Sequence, residues 1–161
     1  MGRGVDGYQA VIATPLGLIG VRMRDEAVSA LDYLPADPAR QAPANAATKA
    51  VVELLEAYFR DARSLLTAPL APAGTAFQQR VWTALQAIPA GTVLSYGDLA
   101  RQLGTAARAI GGACRSNPIP ILIPCHRVVS RQGLGGYAGE VAGDSLSIKR
   151  WLLRHEGVVV N

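Results

Sequence analysis

Cys125 and His126 stand side by side at the end of Ile119-Pro120-Ile121-Leu122-Ile123-Pro124, an apolar run interrupted by prolines. The thiolate is the nucleophilic form of cysteine, and at a pKa near ~8.5 a free thiol is only a few per cent thiolate at neutral pH. An imidazole that takes the proton, directly or through one water, raises that fraction. Cys125 is therefore a candidate nucleophile and His126 its candidate base. The alternative is an inert buried thiol, because free cysteine is among the most buried residue types. The prolines fix φ and withhold backbone donors, which argues against a helix or a fully paired central strand and for a rigid, extended segment. Side chains alternate along such a segment, so Cys125 and His126 need a local turn or a bridging water to communicate; the water is the expected route.

Several elements must position this pair. Thr75-Ala76-Phe77-Gln78 fits a capping box, and Phe77, Val81 and Leu85 mark one apolar stripe, predicting a helix to about residue 88 that Pro89-Ala90-Gly91 ends. Ser95-Tyr96-Gly97-Asp98 is a second capping box, opening a short helix closed by Gly104. A further helix over 106–114 completes the outline of a helix-turn-helix, with an ordinary helical hairpin as the alternative. Ala106, Ala107, Gly111 and Gly112 strip that helix of bulk, although paired glycines cost roughly 1–2 kcal/mol against alanine. A helix with its side chains is ~10–12 Å across and the minor groove of B-DNA about 6 Å wide, so only a stripped helix could enter it. Arg108 on this helix is a groove contact, a phosphate contact or a solvated charge.

Asn117 suits a turn in which its amide ties neighbouring backbone groups to the nucleophile segment. Residues 130–139 form a glycine-rich loop with one aromatic, Tyr137, that fits a pocket wall rather than a phosphate-binding loop. The last helix is expected over 146–156, with Ile148 and Leu152 inward, Trp151 nearby and Gly157 closing it. On residues alone Glu156 is a surface carboxylate, and a surface role is one of two readings for Lys149.

The first part of the chain carries no clustered histidines, cysteines or carboxylates and is expected to be a scaffold. Segments 8–12, 18–23 and 27–33 predict an antiparallel meander, 35–45 a linker, and 46–60 a helix whose Val51, Leu54, Leu55 and Tyr58 cover the sheet. Pro69 and Pro72 suggest a boundary, giving domains 1–68 and 69–161. The fold class expected is α/β in the α+β sense: a three-stranded antiparallel sheet with a covering helix, then a mostly helical, winged-helix-like helix-turn-helix domain.

Half of the 161 residues are hydrophobic, enough for a real core, and the formal charge of +4 suits a polyanionic partner. Met1-Gly2-Arg3-Gly4-Val5-Asp6 lacks a signal-peptide core and Asp6 spoils a myristoylation pattern. No apolar run is long enough to span a bilayer. With only Cys114 and Cys125, a disulfide scaffold is not expected, and both are read as free thiols in a reducing compartment, the cytoplasm or a nucleus. No metal is expected, since the other soft ligands are only His126 and His155.

The string Asn117-Pro118-Ile119-Pro120-Ile121-Leu122-Ile123-Pro124-Cys125-His126-Arg127-Val128 resembles the active-site signature of the O6-alkylguanine-DNA alkyltransferases, the methylated-DNA-protein-cysteine methyltransferases. The likeness runs in order from Phe77-Gln78-Gln79-Arg80-Val81-Trp82 to Leu152-Leu153-Arg154-His155-Glu156-Gly157 and is loose over the first seventy or so residues. It implies direct, once-only repair without a cofactor. An O6-alkylguanine (less well an O4-alkylthymine) is flipped out of double-stranded DNA and its alkyl group moves to Cys125. In the implied roles His126 is the base acting through water, Glu156 orients it, Tyr96 donates to guanine N3, and Asn117 is a hinge. The carbonyls of Cys125 and Val128 would accept from the exocyclic amine, with Tyr137 beside the base, the Ala138 amide near O6, and Lys149 near the active-site loop. Arg108 would fill the vacated stack, and Ser95, Ala106, Ala107, Gly111, Arg115 and Arg131 would face DNA. The protein is expected to be a monomer, with cooperative assembly on DNA left open. Two departures stand out: the turn Gly104-Thr105-Ala106-Ala107-Arg108 is shorter than in many relatives, and the ligands of the structural zinc that some carry are missing. Rival classes are a non-catalytic alkyltransferase-like lesion binder, which would lack the cysteine, and a small Cys-His hydrolase, which would need an oxyanion hole.

Overall fold

The computed structural model describes residues 7–35, 39–136 and 144–159. The chain divides into two compact units, Met1–Ala73 and Gly74–Asn161.

In the first unit β1 (Ala10–Thr14), β2 (Gly17–Arg24) and β3 (Ala27–Leu34) form an antiparallel sheet in sequence order, with Ala10 opposite Val21 and Ile19 opposite Tyr33. Two-residue connections hold the register, and a bulge lies between Arg22 and Met23. Helix α1 (Ala46–Arg60) starts where the Asn45 side chain accepts from the Thr48 amide. It buries Val51, Val52, Leu55 and Tyr58, whereas Leu54 is only half-buried. Past α1, Leu70 lies beside β3: Val28 donates to the Pro69 carbonyl at 2.9 Å and receives from the Ala71 amide at 2.7 Å. Proline can accept but not donate, so this bridge fits between Pro69 and Pro72 and holds residues 69–71 in the first unit.

The second unit contains α2 (Ala76–Gln86), β4 (Leu94–Ser95), α3 (Tyr96–Leu103), α4 (Ala107–Arg115), a 3-10 turn (Cys125–Arg127), β5 (Val128–Val129) and α5 (Asp144–His155). The capping box at Thr75 is present in both its bonds, and the Ser95 side chain caps α3. Gly104 takes the left-handed conformation, φ 68°, and Thr105 donates to the Ala100 carbonyl at 2.9 Å, so the turn into α4 is a Schellman stop. Parallel pairing of β4 with β5 sets Leu94 beside Val128 and Ser95 beside Val129, which brings the start of α3 next to the residues following the nucleophile. Val81, Trp82, Leu85, Leu99, Ile110, Leu152 and Leu153 form the core, and Trp82 donates its indole N–H to the Ala113 carbonyl at 2.9 Å. The α/β class is as the sequence predicts.

Candidate active site and nucleic-acid interface

The nucleophile segment is not extended. Leu122 donates to Pro120 at 2.9 Å, Ile123 to Ile119 at 2.9 Å, and Cys125 to Ile123 at 2.8 Å, so residues 119–125 fold into successive tight turns. Ile121 sits at φ 73°, a left-handed conformation that costs a β-branched residue of order 1–3 kcal/mol. Burial explains why the expectation fails. A strand would turn half its side chains outward, whereas these turns bury Ile119, Ile121, Leu122 and Ile123 together. Asn117 fastens the ends: its Nδ2 donates to the Ile123 carbonyl at 2.8 Å and its Oδ1 accepts from the Ile119 amide at 2.9 Å.

Cys125, His126 and Arg127 follow in the 3-10 turn, all buried. Burial pushes the Cys125 thiol up, opposed by a hydrogen bond from Asn117 and by the charge of Lys149. His126 Nε2 lies 2.8 Å from Glu156 Oε2. A carboxylate oxygen only accepts, so this contact assigns the ring proton to Nε2. Nδ1 is buried and without a hydrogen-bond partner among the described residues. Burial holds His126 below the ordinary imidazole range, against the pull of Glu156. The Glu156 side chain is shielded from solvent, not on the surface as its residue type alone suggests.

Arg127 has no role assigned from sequence. Its Nε and Nη2 donate to the two oxygens of Glu156, each at 2.9 Å, and Nη1 donates to the Ile88 carbonyl at the end of α2 at 2.6 Å. An arginine next to an apolar run was the available signal, since a buried arginine must find a carboxylate.

Lys149 is likewise no surface residue. It is fully buried on α5, and its Nζ donates to the carbonyls of Val128 and Gly136, each at 2.8 Å. Burial brings its pKa down to about 8. The carbonyls expected to receive a guanine amine both accept bonds within the protein, Val128 from Lys149 and Cys125 from the Val128 amide. Tyr96 opens α3 with its hydroxyl 3.4 Å from the Gly136 carbonyl. Burial first, then the Cys114 and Cys125 thiols, push it up to about 12, so the phenol stays a donor at neutral pH. Gly135, at φ 74°, packs so closely that a Cβ there would lie 2.8 Å from the Tyr96 ring. Tyr137 and Ala138 lie outside the described residues.

On α4, Ala106, Ala107 and Arg108 are exposed, while Ile110 and Ala113 face the core. A Cβ added at Gly111 or Gly112 would meet only the Arg115 guanidinium, at 4.0 and 3.7 Å. Packing within the unit therefore does not require glycine at either position. Arg108 pairs with no carboxylate among the described residues, whereas Arg131 lies 3.9 Å from Asp98, which also pairs with Arg101. Ser95 Oγ accepts from the Asp98 amide at 3.0 Å. Both cysteines are free thiols. Among the described residues no group of three or more His, Cys, Asp or Glu could hold a metal ion, and no helix is long and apolar enough to cross a membrane.

Residues 76–158 match the family model for the DNA-binding domain of 6-O-methylguanine DNA methyltransferase. A Shigella flexneri methylated-DNA–protein-cysteine methyltransferase is 51% identical over 110 residues, which are 66% of this chain and 61% of that protein; this chain therefore spans about three-fifths of that relative. A Methanosarcina acetivorans protein of the same name is 35% identical over 158 residues, 93% of this chain and 98% of its own. The crystal structure of Mycobacterium tuberculosis OGT in complex with DNA superposes with a TM-score of 0.75 at 37% identity, covering 91% of each chain. With a match that takes in α2 to α5 and a relative aligned along nearly its whole length, the chain belongs to the 6-O-methylguanine DNA methyltransferase family.

Proposed function

We propose that this protein repairs double-stranded DNA by transferring the alkyl group of O6-alkylguanine to its own Cys125, once per molecule, with O4-alkylthymine a poorer substrate. The observation that carries this is the buried pair of Cys125 and an imidazole tied through Nε2 to Glu156, whose Nδ1 has no partner among the described residues. A buried polar atom left unpaired costs about 1–3 kcal/mol, and a proton relay through one water from the thiol gives Nδ1 its use. The thiol proton passes to Nδ1, a sulfur–carbon bond forms as the carbon–O6 bond breaks, and the purine takes the electron pair and regains one proton. The products are a thioether and guanine. Tyr96 donates to N3 as charge develops, the Ala138 amide serves O6, Tyr137 and Val128 line the pocket, and Asn117 is the hinge.

Entry of the base requires extrusion, at a cost of a few kcal/mol that is least for a weakly paired lesion. The exposed Ala106-Ala107-Arg108 start of α4 and its glycine face suit an approach to the minor groove, with Arg108 filling the stack. Ser95, Gly111, Arg115 and Arg131 contact DNA around it. The relative crystallised with DNA supports this partner. The first unit, by this proposal, is a scaffold, and the protein works as a monomer where DNA is kept, in the cytoplasm or a nucleus.

Intact-protein mass after mixing with duplex DNA containing O6-methylguanine tests it. The expected result is one added methyl group on Cys125 and none on Cys125→Ser. Binding without a mass change would mean a lesion-binding protein instead, and repeated turnover with the mass unchanged a hydrolase.

A further inference from the structure

Arg127 takes no part in the transfer as written above, yet it is one of the most heavily bonded side chains in the unit. Three of its nitrogens donate within 3 Å or so, two to Glu156 and one to the Ile88 carbonyl. Glu156 Oε2 is shared, receiving Arg127 Nη2 at 2.9 Å and His126 Nε2 at 2.8 Å. The carboxylate side chain is fully shielded and that of Arg127 nearly so.

An ionised carboxylate in such a place must be balanced by a nearby positive charge. Among the described residues two groups touch it that could supply one, the guanidinium and the imidazole. If the imidazole did so, it would rest as imidazolium. Both ring nitrogens would then carry protons and neither could accept another. With the guanidinium bonded in its side-on fork the balance is already met. The imidazole can stay neutral, Nε2–H toward Glu156 and the Nδ1 lone pair available.

We propose that Arg127 is a positioning residue: by neutralising Glu156 it keeps His126 a neutral, Nε2-protonated imidazole whose Nδ1 can receive the proton of Cys125. The use of that lone pair rests on the alkyl-transfer proposal; the state of the imidazole does not. The charged groups facing His126 are Arg127 from its own turn, Lys149 from α5 and Glu156 just past the end of α5, and Lys149 acts in the same sense as Arg127. From the turn just past α2 the Ile88 carbonyl reaches this cluster, through Arg127.

The chain has two histidines, so nitrogen-15 NMR titration of the imidazoles, with His155→Gln to assign them, reads His126 directly. The wild-type protein should show His126 neutral and protonated on Nε2 at pH 7. In Arg127→Met its midpoint should rise by about 1–3 pH units, the usual effect of removing an opposing nearby charge. The acid limb of the methyl-transfer rate should rise with it. Arg127→Lys should hold both near the wild-type positions. If Arg127→Met does not fold, Arg127→Gln carries the test, since an amide can still donate to Glu156 without neutralising it, and its midpoint should rise in the same way. An unmoved midpoint in whichever of these two variants folds, or an Nδ1-protonated wild-type ring, would each overturn the proposal. A protein that takes up no methyl group but titrates as described would sink the proposed function and leave this inference standing.

Discussion

Lys149→Met exchanges a buried ammonium for an uncharged chain of similar length, and the structure sets both the size and the pH dependence of the effect. The ammonium directs two of its three protons to the Val128 and Gly136 carbonyls, and burial lowers its pKa from 10.5 to about 8. One pKa unit corresponds to about 1.4 kcal/mol, so keeping the charged form folded costs about 3 kcal/mol relative to a solvated lysine. Between about 8 and 10.5 the unfolded chain still holds a proton that the folded chain has released, so stability rises with pH across that window. Below it both states are protonated and the penalty is constant.

Methionine carries no such proton. The stability of wild type minus variant, from urea unfolding followed by tryptophan fluorescence, should therefore climb by about 2–3 kcal/mol from about pH 7.5 to about pH 10. Cys114 and Tyr96, both pushed up to about 12, lower stability over the alkaline range, but both proteins contain them and most of their effect cancels in the difference. At pH 7 the two proteins should differ little, because the variant loses the desolvation cost but leaves two carbonyls without a donor at about 1–3 kcal/mol each. The slope is the diagnostic. A difference flat to within about 0.5 kcal/mol across the window would mean the ammonium is hydrated, and the reasoning would fail. Because Lys149 also lowers the Cys125 thiol, the variant should transfer methyl groups more slowly at neutral pH.

Gly135→Ala should destabilise the protein by about 2–5 kcal/mol, combining a left-handed alanine with a Cβ driven against the Tyr96 ring; urea unfolding within about 1 kcal/mol of wild type would show that the loop yields instead. Arg108→Ala, at an exposed position, should leave stability within about 0.5 kcal/mol and slow methyl uptake from duplex DNA. If Arg108 fills the stack, the salt dependence of binding should stay as it was; a slope of log K against log salt lower by about 0.9 would make it a phosphate contact instead.

Local chemistry was legible in the sequence, and partnership across distance was not. Thr75, Ser95 and Gly104 announce helix ends because a cap bonds to residues close by in the chain, and Asn117 announces its turn because its Oδ1 accepts from the Ile119 amide two residues on. The prolines near Cys125 exclude regular structure but do not choose among irregular ones. What chooses is the burial of four aliphatic side chains at once, at the expense of a left-handed Ile121, which no local preference would suggest. Glu156 and Lys149 look like surface charges because their partners lie 13 to 30 positions away, at Gly136, Val128, Arg127 and His126. The same distance hides Arg127, whose three bonds span 29 and 39 positions. Leu70 is a parallel case, set opposite Val28 by bonds through the Pro69 carbonyl and the Ala71 amide, more than 40 positions along the chain.

The balance of buried charge says what kind of nucleophile Cys125 would be under the proposed function. Arg127 and Glu156 cancel, which leaves Lys149 as the excess positive charge among the described groups of the site. Passing a proton from Cys125 to His126 creates one negative and one positive charge together and does not alter that excess. Whether the thiolate forms is then decided by burial, which opposes it, against the Asn117 hydrogen bond and the Lys149 charge, which favour it; burial is the larger. Cys125 therefore rests as a thiol, and a standing thiolate ready for any electrophile in solution is not what this site holds. In the proposed transfer, negative charge would develop on sulfur only as the carbon–O6 bond stretches, when Tyr96, held neutral, could donate to the purine and His126, neutral, could receive the proton. Such a site trades reactivity toward small alkylating agents for selectivity toward a base that completes the pocket.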